Sequence, residues 1–345
     1  MKIIPENLYM RSLLEKLCTD SGVSGCEYEM LPVINDLLGN IAQISTDSSG
    51  NIIASMGTEN TNKHIIIDAH IDRIGLAVTC INEQGFVKAE PVGGIDLRSL
   101  PGSAVKIHGS KELTGIICTM PPHLSDGDEL SRDKIWIDTG LPAGKVREIV
   151  SLGDTAVLCS EFRELLGNKV SVSALDNRSG CAILVRCARL LAEEKLPCRV
   201  SFVFSSQEET GELGAGTAAF SLEPDEAVVI DVGFAAQDGV PPEKSGKLGC
   251  GGIICISPVL SKQVTQKLMD IASCLEMKYD FEVCGGATGT NADRIACSRK
   301  GVKTGVISLP SKNMHTPTEV VSLEDMENLA ALLKIYIMEG GADNA

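Results

Sequence analysis

Residues 64–75 read HIIIDAHIDRIG. The run His64-Ile65-Ile66-Ile67 is short and β-branched, which predicts a strand buried on both faces rather than a helix. Asp68, His70 and Asp72 follow it directly. In an open α/β sheet the residues just past each strand gather at the carboxyl edge, where such folds bind ligands. Moving outward, the same arrangement recurs. Val200-Ser201-Phe202-Val203-Phe204 leads to Glu208 and Glu209, Ala227-Val228-Val229-Ile230 to Asp231, and Gly305-Val306-Ile307-Ser308-Leu309 to His315. Asp176, in Ala174-Leu175-Asp176-Asn177-Arg178, is predicted just before a helix, near its positive end. Two histidines and several carboxylates at one sheet edge suit a hydrolytic two-metal centre.

Each signal has an ordinary structural explanation. A histidine after a strand is commonly a surface or core residue, Glu208-Glu209 alone is a solvated acidic pair, and Asp176 or Asp231 alone is a cap. Their joint placement at strand ends favours chemistry. The spacing of His70 and Asp72 lets one ligate and the other orient. Glu208 and Glu209 point in different directions, so one can bind metal while its neighbour faces the attacking water.

Helical periodicity predicts two short helices within 7–39, stopped at Ser21-Gly22 and Gly39-Asn40. Further helices are marked by Gly180, Leu184 and Leu191, by Val264, Leu268, Ile271 and Leu275, and over 323–338, where Ser322 is the N-cap. From 76 to 165 short apolar stretches alternate with Gly, Pro and Asp clusters, which predicts a small β-barrel-like module. The segment 123–134 reads as a polar loop. The expected fold is α/β: an open mixed sheet flanked by helices, built from 1–75 and 166–345, with 76–165 inserted.

With 46 acidic against 31 basic residues the net charge is −15, which argues against a nucleic-acid partner. One Trp, four Tyr and seven Phe are too few for a groove lined with aromatic sugar platforms. A glycosidase would also need two carboxylates about 5–9.5 Å apart on opposing walls, whereas Glu208 and Glu209 are adjacent in the chain. No run reaches the roughly 18 apolar residues of a membrane span, and the start MKIIPENLYMRSLLEKLC lacks the apolar centre of a signal peptide. The expected location is the cytoplasm. The 13 cysteines are scattered without a CxxC pair, which favours small buried hydrophobes over a metal site or a disulfide framework.

The segments GVSGCE (22–27), DAHIDRIG (68–75), PVGGIDLRSLPG (91–102), GNKVSVSALDNRSG (167–180), SSQEETGELGA (205–215), VVIDVG (228–233) and GVKTGVISLPSKNMHTPTEVV (301–321) resemble metallopeptidase family 42, the tetrahedral aminopeptidases. The resemblance covers nearly the whole chain. It implies a dinuclear zinc-peptidase fold, with two divalent ions per subunit, zinc by default and cobalt as an activator in vitro. It implies that Asp176 bridges the two ions, that His70 and Asp231 complete one site, and that Glu209 and His315 complete the other. Glu208 would be general base and acid, and Asp72 would orient His70. The implied partners are peptide substrates and other copies of the chain, the insert pairing subunits towards a dodecamer. Other readings are a deacylase or carboxypeptidase on the same scaffold, and a metal-binding assembly protein without turnover. The chain departs from the family at Arg73, at Asn291, Asp293 and Arg294, and at Asn313-Met314. The expectation for 291–294 is a position bordering the substrate pocket.

Overall fold

The computed structural model describes residues 6–58, 63–121, 123 and 131–341. Residues 1–5 and most of the polar loop expected over 123–134 lie outside them. The main element is an eight-stranded mixed sheet. Its spatial order is Gln43–Thr46, Ile52–Met56, Arg199–Ser205, His64–His70, Glu226–Phe234, Lys303–Ser311, Gly252–Ile256 and Tyr279–Val283. The four central strands run parallel, with Ile65 beside Val200 and Glu226, and Ile230 beside Ile307. All four therefore end at one edge.

Strand His64–His70 is buried along its whole length because helices cover both faces. Its side chains divide with a period of two. Ile65 and Ile67 join a core with Leu184, Leu268 and Leu333, from helices Leu175–Leu191, Lys262–Cys274 and Leu323–Met338. Ile66 points the other way, to Ala215 and Ala219 of helix Leu213–Leu222 and Ile295 of helix Ala292–Ala296. The Ser322 hydroxyl accepts from the Asp325 N–H, capping the last helix as expected.

Strands Gly75–Ile81, Val87–Val92, Trp136–Asp138, Glu112–Ile117, Ala104–His108 and Thr155–Leu158 close into a six-stranded barrel. Closure removes free strand edges. Leu76, Val87, Ile107, Ile117 and Ile137 fill the interior as a core separate from the other two.

Several details differ from the sequence reading. The first helix, Glu6–Leu17, ends before the Ser21-Gly22 signal. The outer strands Gln43–Thr46, Ile52–Met56 and Tyr279–Val283 were not predicted, because runs of four or five residues carry little periodicity. Helix Leu213–Leu222 was disguised by its glycines. A Cβ on Gly214 would lie 2.4 Å from Asn51 Oδ1, so glycine is there for close packing. The cysteines are not mainly core: Cys181, Cys187, Cys198 and Cys255 are buried, while Cys80, Cys159, Cys274 and Cys297 are exposed. Among the described residues no helix is long and apolar enough to cross a membrane.

Candidate metal centre

The carboxyl edge of the central strands opens into a cavity of about 260 Å³, with His70, Asp176, Glu208, Glu209, Asp231 and His315 in its wall. The elements deliver these residues differently. His70 ends its strand, whereas Asp231 lies within strand Glu226–Phe234. Glu208 and Glu209 follow Arg199–Ser205 in a turn. Asp176 and Asn177 have non-helical backbone angles inside Leu175–Leu191, so the regular helix begins after them and Asp176 faces the sheet edge.

Asp176 is central. Its Oδ1 lies 3.1 Å from Nε2 of His70 and its Oδ2 3.1 Å from Nε2 of His315. Asp231 Oδ1 is 3.6 Å from the His70 Nε2, and Glu209 Oε1 is 3.5 Å from the His315 Nε2. Two triads result, His70–Asp176–Asp231 and Asp176–Glu209–His315, each with its donor atoms within 4.8 Å of one another. They share Asp176. Glu208 stands outside both, its Oε2 3.9 Å from the His70 Nε2.

The surroundings orient the donors. Nδ1 of His315 donates to the Gly94 carbonyl at 2.9 Å, which turns Nε2 to the cavity, where a bound cation would take the place of its proton. Gly94 belongs to the loop after the barrel strand Val87–Val92, so the insert completes this site. Nδ1 of His70 is 3.3 Å from the Asp72 carbonyl and 3.4 Å from the Asp72 carboxylate. Asp72 has a second task that sequence reasoning missed. Its two carboxylate oxygens accept from the backbone N–H groups of Glu208 and Glu209, at 3.1 and 3.2 Å.

Glu319 was also missed. It is buried, and it accepts from the backbone N–H of Asp176 at 3.0 Å and of His315 at 2.9 Å. The available signal was an acid inside the strand-like run Glu319-Val320-Val321, where nothing exposed is expected.

The electrostatics fit a cation cluster. Burial opposes charge on His70 and His315, yet hydrogen bonds to Asp176 and the neighbouring carboxylates outweigh it. The His70 pKa is raised well above its usual value and that of His315 rises to about 10. Burial and repulsion among Asp231, Asp176 and Asp72 push Glu208 up to about 8, and burial with Asp176 raises Glu209 well above the carboxylate range. Carboxylates packed this closely repel one another, and divalent cations relieve that repulsion. Oε1 of Glu209 is buried without a hydrogen bond. Together, an orphaned carboxylate oxygen and two donor triads match what hard and borderline divalent ions require.

The M42 glutamyl aminopeptidase family profile matches residues 50–332. The chain belongs to this family. A lysyl aminopeptidase of Pyrococcus furiosus is 28% identical over 337 residues, covering 95% of this chain and 96% of that protein. An aminopeptidase of the archaeon Desulfurococcus kamchatkensis superposes with a TM-score of 0.90 at 31% identity, over 97% of this chain and 95% of that one. The TET1 peptidase of Pyrococcus horikoshii, described as assembling into a tetrahedron or a large octahedral shell, gives a TM-score of 0.86 at 31% identity, over 96% and 99% of the two chains. As an M42 glutamyl aminopeptidase family member the chain is a hydrolase, a metal-dependent aminopeptidase.

Most departures from the M42 pattern lie outside the cavity wall; Met314, next to His315, is the exception. Arg73 is buried behind the centre, donating to the Thr19 carbonyl at 2.8 Å and to Ser173 Oγ at 3.0 Å. Asn291 donates to Asp68 and Ser205 beneath the sheet edge. The expectation that Asp293 or Arg294 borders the pocket needs correction. The cavity is lined by Thr288, Gly289 and Thr290, while the Asp293 carboxylate turns back to accept from Thr288 N and Gly289 N, at 2.9 and 3.0 Å. Arg294 faces outward towards Glu212, 3.5 Å away. Met314 does line the cavity.

Proposed function

We propose that the chain removes N-terminal residues from peptides at a dinuclear centre, His70 and Asp231 holding one divalent ion, Glu209 and His315 the other, and Asp176 bridging them. The observation that carries this reading is the single Asp176 carboxylate with one oxygen turned to each histidine. Bound ions supply Lewis acidity: they make water nucleophilic near neutral pH and polarise the scissile carbonyl. Glu208, a cavity carboxylate outside both triads with its Oε2 3.9 Å from the His70 Nε2, takes the proton of the attacking water and passes it to the leaving amine. Asp72 holds Glu208 and Glu209 in place through their backbone N–H groups and also orients His70. The concentration of carboxylates favours the ammonium end of a peptide, which suits an exopeptidase better than an endopeptidase. Zinc is the expected metal, with cobalt as its substitute in vitro.

Residues 1–75 and 166–345 form the catalytic unit in this reading, and 76–165 the assembly unit. Met120 and Leu152 of the insert expose large apolar side chains, as does Leu166 just past it, and subunit contacts would cover them. A relative described as forming a tetrahedron supports a dodecamer built from dimers. The reading places the protein in the cytoplasm.

The test is a panel of aminoacyl amides of every side-chain class, with free and acetylated N-termini, run on metal-free protein and after zinc, cobalt or manganese is restored. Cleavage of free N-termini alone, with about two metals per chain, is expected. Preference for acetylated substrates points to a deacylase. Full activity in verified metal-free protein ends the two-metal reading.

A further inference from the structure

The far wall of the cavity holds a second kind of donor. Strands Gly252–Ile256 and Tyr279–Val283 pair in parallel with Cys255 beside Glu282. The pairing continues past the strand end, since the Cys284 N–H donates to the Ile256 carbonyl at 2.9 Å. Residues two apart on a strand share a face. Cys255, Glu282 and Cys284 are thus brought together, and one donor atom from each lies within 4.8 Å of the others. Cys255 and Glu282 line the same cavity as His70 and Asp231, whereas Cys284 lines the neighbouring surface groove.

The sulfur spacing distinguishes between the uses of such a pair. The two Sγ atoms are 3.9 Å apart. A disulfide needs about 2.05 Å. Two thiolates on one tetrahedral zinc, each at about 2.3 Å, stand about 3.8 Å apart. The two sulfurs, joined by a hydrogen bond from Cys255 Sγ to Cys284 Sγ, are too far apart for a disulfide and already stand about as far apart as two ligands of one ion would, with Glu282 available as a third.

We propose that Cys255, Glu282 and Cys284 form a third cation site, distinct from the His–carboxylate centre, for a thiophilic divalent ion such as Zn²⁺ or Cd²⁺, and that its occupation inhibits turnover. Burial raises the pKa of both thiols, so each is protonated until an ion displaces its proton, and binding releases protons. One divalent ion replaces two thiol protons, so the net charge of the wall is unchanged; the ion acts instead by engaging the Glu282 carboxylate, which removes an acceptor for the substrate's ammonium group from the cavity wall. Cation binding is independent of the catalytic assignment; the effect on turnover rests on it.

The experiment titrates Cd²⁺ into fully reduced protein already loaded at its catalytic centre. That centre offers only nitrogen and oxygen, so an ultraviolet sulfur-to-cadmium charge-transfer band reports cysteine ligation, and the Cys284 variants separate this site from the exposed Cys80, Cys159, Cys274 and Cys297. The expected result is one further equivalent bound with that band, and peptidase activity falling as the band grows. Cys284→Ser, at a position outside the catalytic cavity, keeps wild-type activity without cadmium and loses both the band and the inhibition. Cys284→Ala is the second variant should serine disturb folding. No band at one added equivalent, or a band unchanged in both variants, overturns the site. A saturated band with full turnover overturns the inhibitory role.

Discussion

Glu319 accepts a hydrogen bond from the backbone N–H of Asp176 at 3.0 Å, while its other carboxylate oxygen accepts from the N–H of His315 at 2.9 Å. One buried side chain therefore sets the spacing between the shared carboxylate and a histidine of the second triad. Burial and the nearby Asp176 charge push its pKa up to about 8, with these two backbone bonds acting in the opposite direction. Glu319→Gln turns an amide NH₂ towards a backbone donor. Metal affinity should fall by about 10–100-fold, the usual cost of losing a supporting contact, with activity recovered by excess metal. Metal titration with a competing chelator checks this; unchanged affinity would leave Glu319 a folding residue only.

Glu208→Gln separates chemistry from binding. Both triads stay intact, so metal stoichiometry should hold while kcat drops by about 10²–10⁴-fold and KM moves less. Glu209→Gln should instead lower the stoichiometry. The reverse pattern would exchange the two roles.

Gly94 lets the insert approach His315. A Cβ at this position would lie 2.9 Å from the His315 Nδ1. Gly94→Ala should displace the imidazole, weakening the Glu209–His315 site and sparing the melting temperature. Metal counting by mass spectrometry, beside a thermal melt, reads both.

Asp293 and Arg294 should behave differently from each other. Asp293→Ala frees the N–H groups of Thr288 and Gly289 and loosens the cavity wall, so KM should rise for all substrates. Arg294→Ala should leave the substrate ranking unchanged. A reordered ranking in the arginine variant would mean that this side chain reaches the pocket.

His64 supplies a pH prediction away from the centre. It is buried, its Nδ1 donating to the Leu222 carbonyl at 3.0 Å and its Nε2 accepting from Ser201 Oγ at 2.9 Å. Burial first, then the Arg199 charge, lowers its pKa from 6.5 to about 4. Because the folded value lies below the unfolded one, the stabilisation is complete above 6.5 and is lost as pH falls towards 4. The loss should approach ~2–3 kcal/mol near ~pH 4.5. His64→Gln, which does not titrate, should show a smaller drop in stability between neutral and acid pH. Parallel acid losses in the two proteins would count against it.

The sequence by itself determined the parts whose signal is local. A buried parallel strand must be apolar along its run, so His64–Ile67, Val200–Phe204, Ala227–Ile230 and Gly305–Leu309 were legible, and so were the acids and histidines beyond them. Barrel strands announce themselves by short runs between turn residues. Four contacts were decided only by the tertiary structure. Glu319 reaches Asp176, Gly94 reaches His315, Asp72 reaches the Glu208 and Glu209 backbone, and Cys255 meets Cys284 across paired strands. Each joins residues far apart in the chain, and three of the four engage a backbone group, which every residue carries and which leaves no mark in the sequence. Asp293 shows the converse. Its position in the sequence pointed to the pocket, but two N–H groups in its own loop offered the carboxylate better partners than the cavity did.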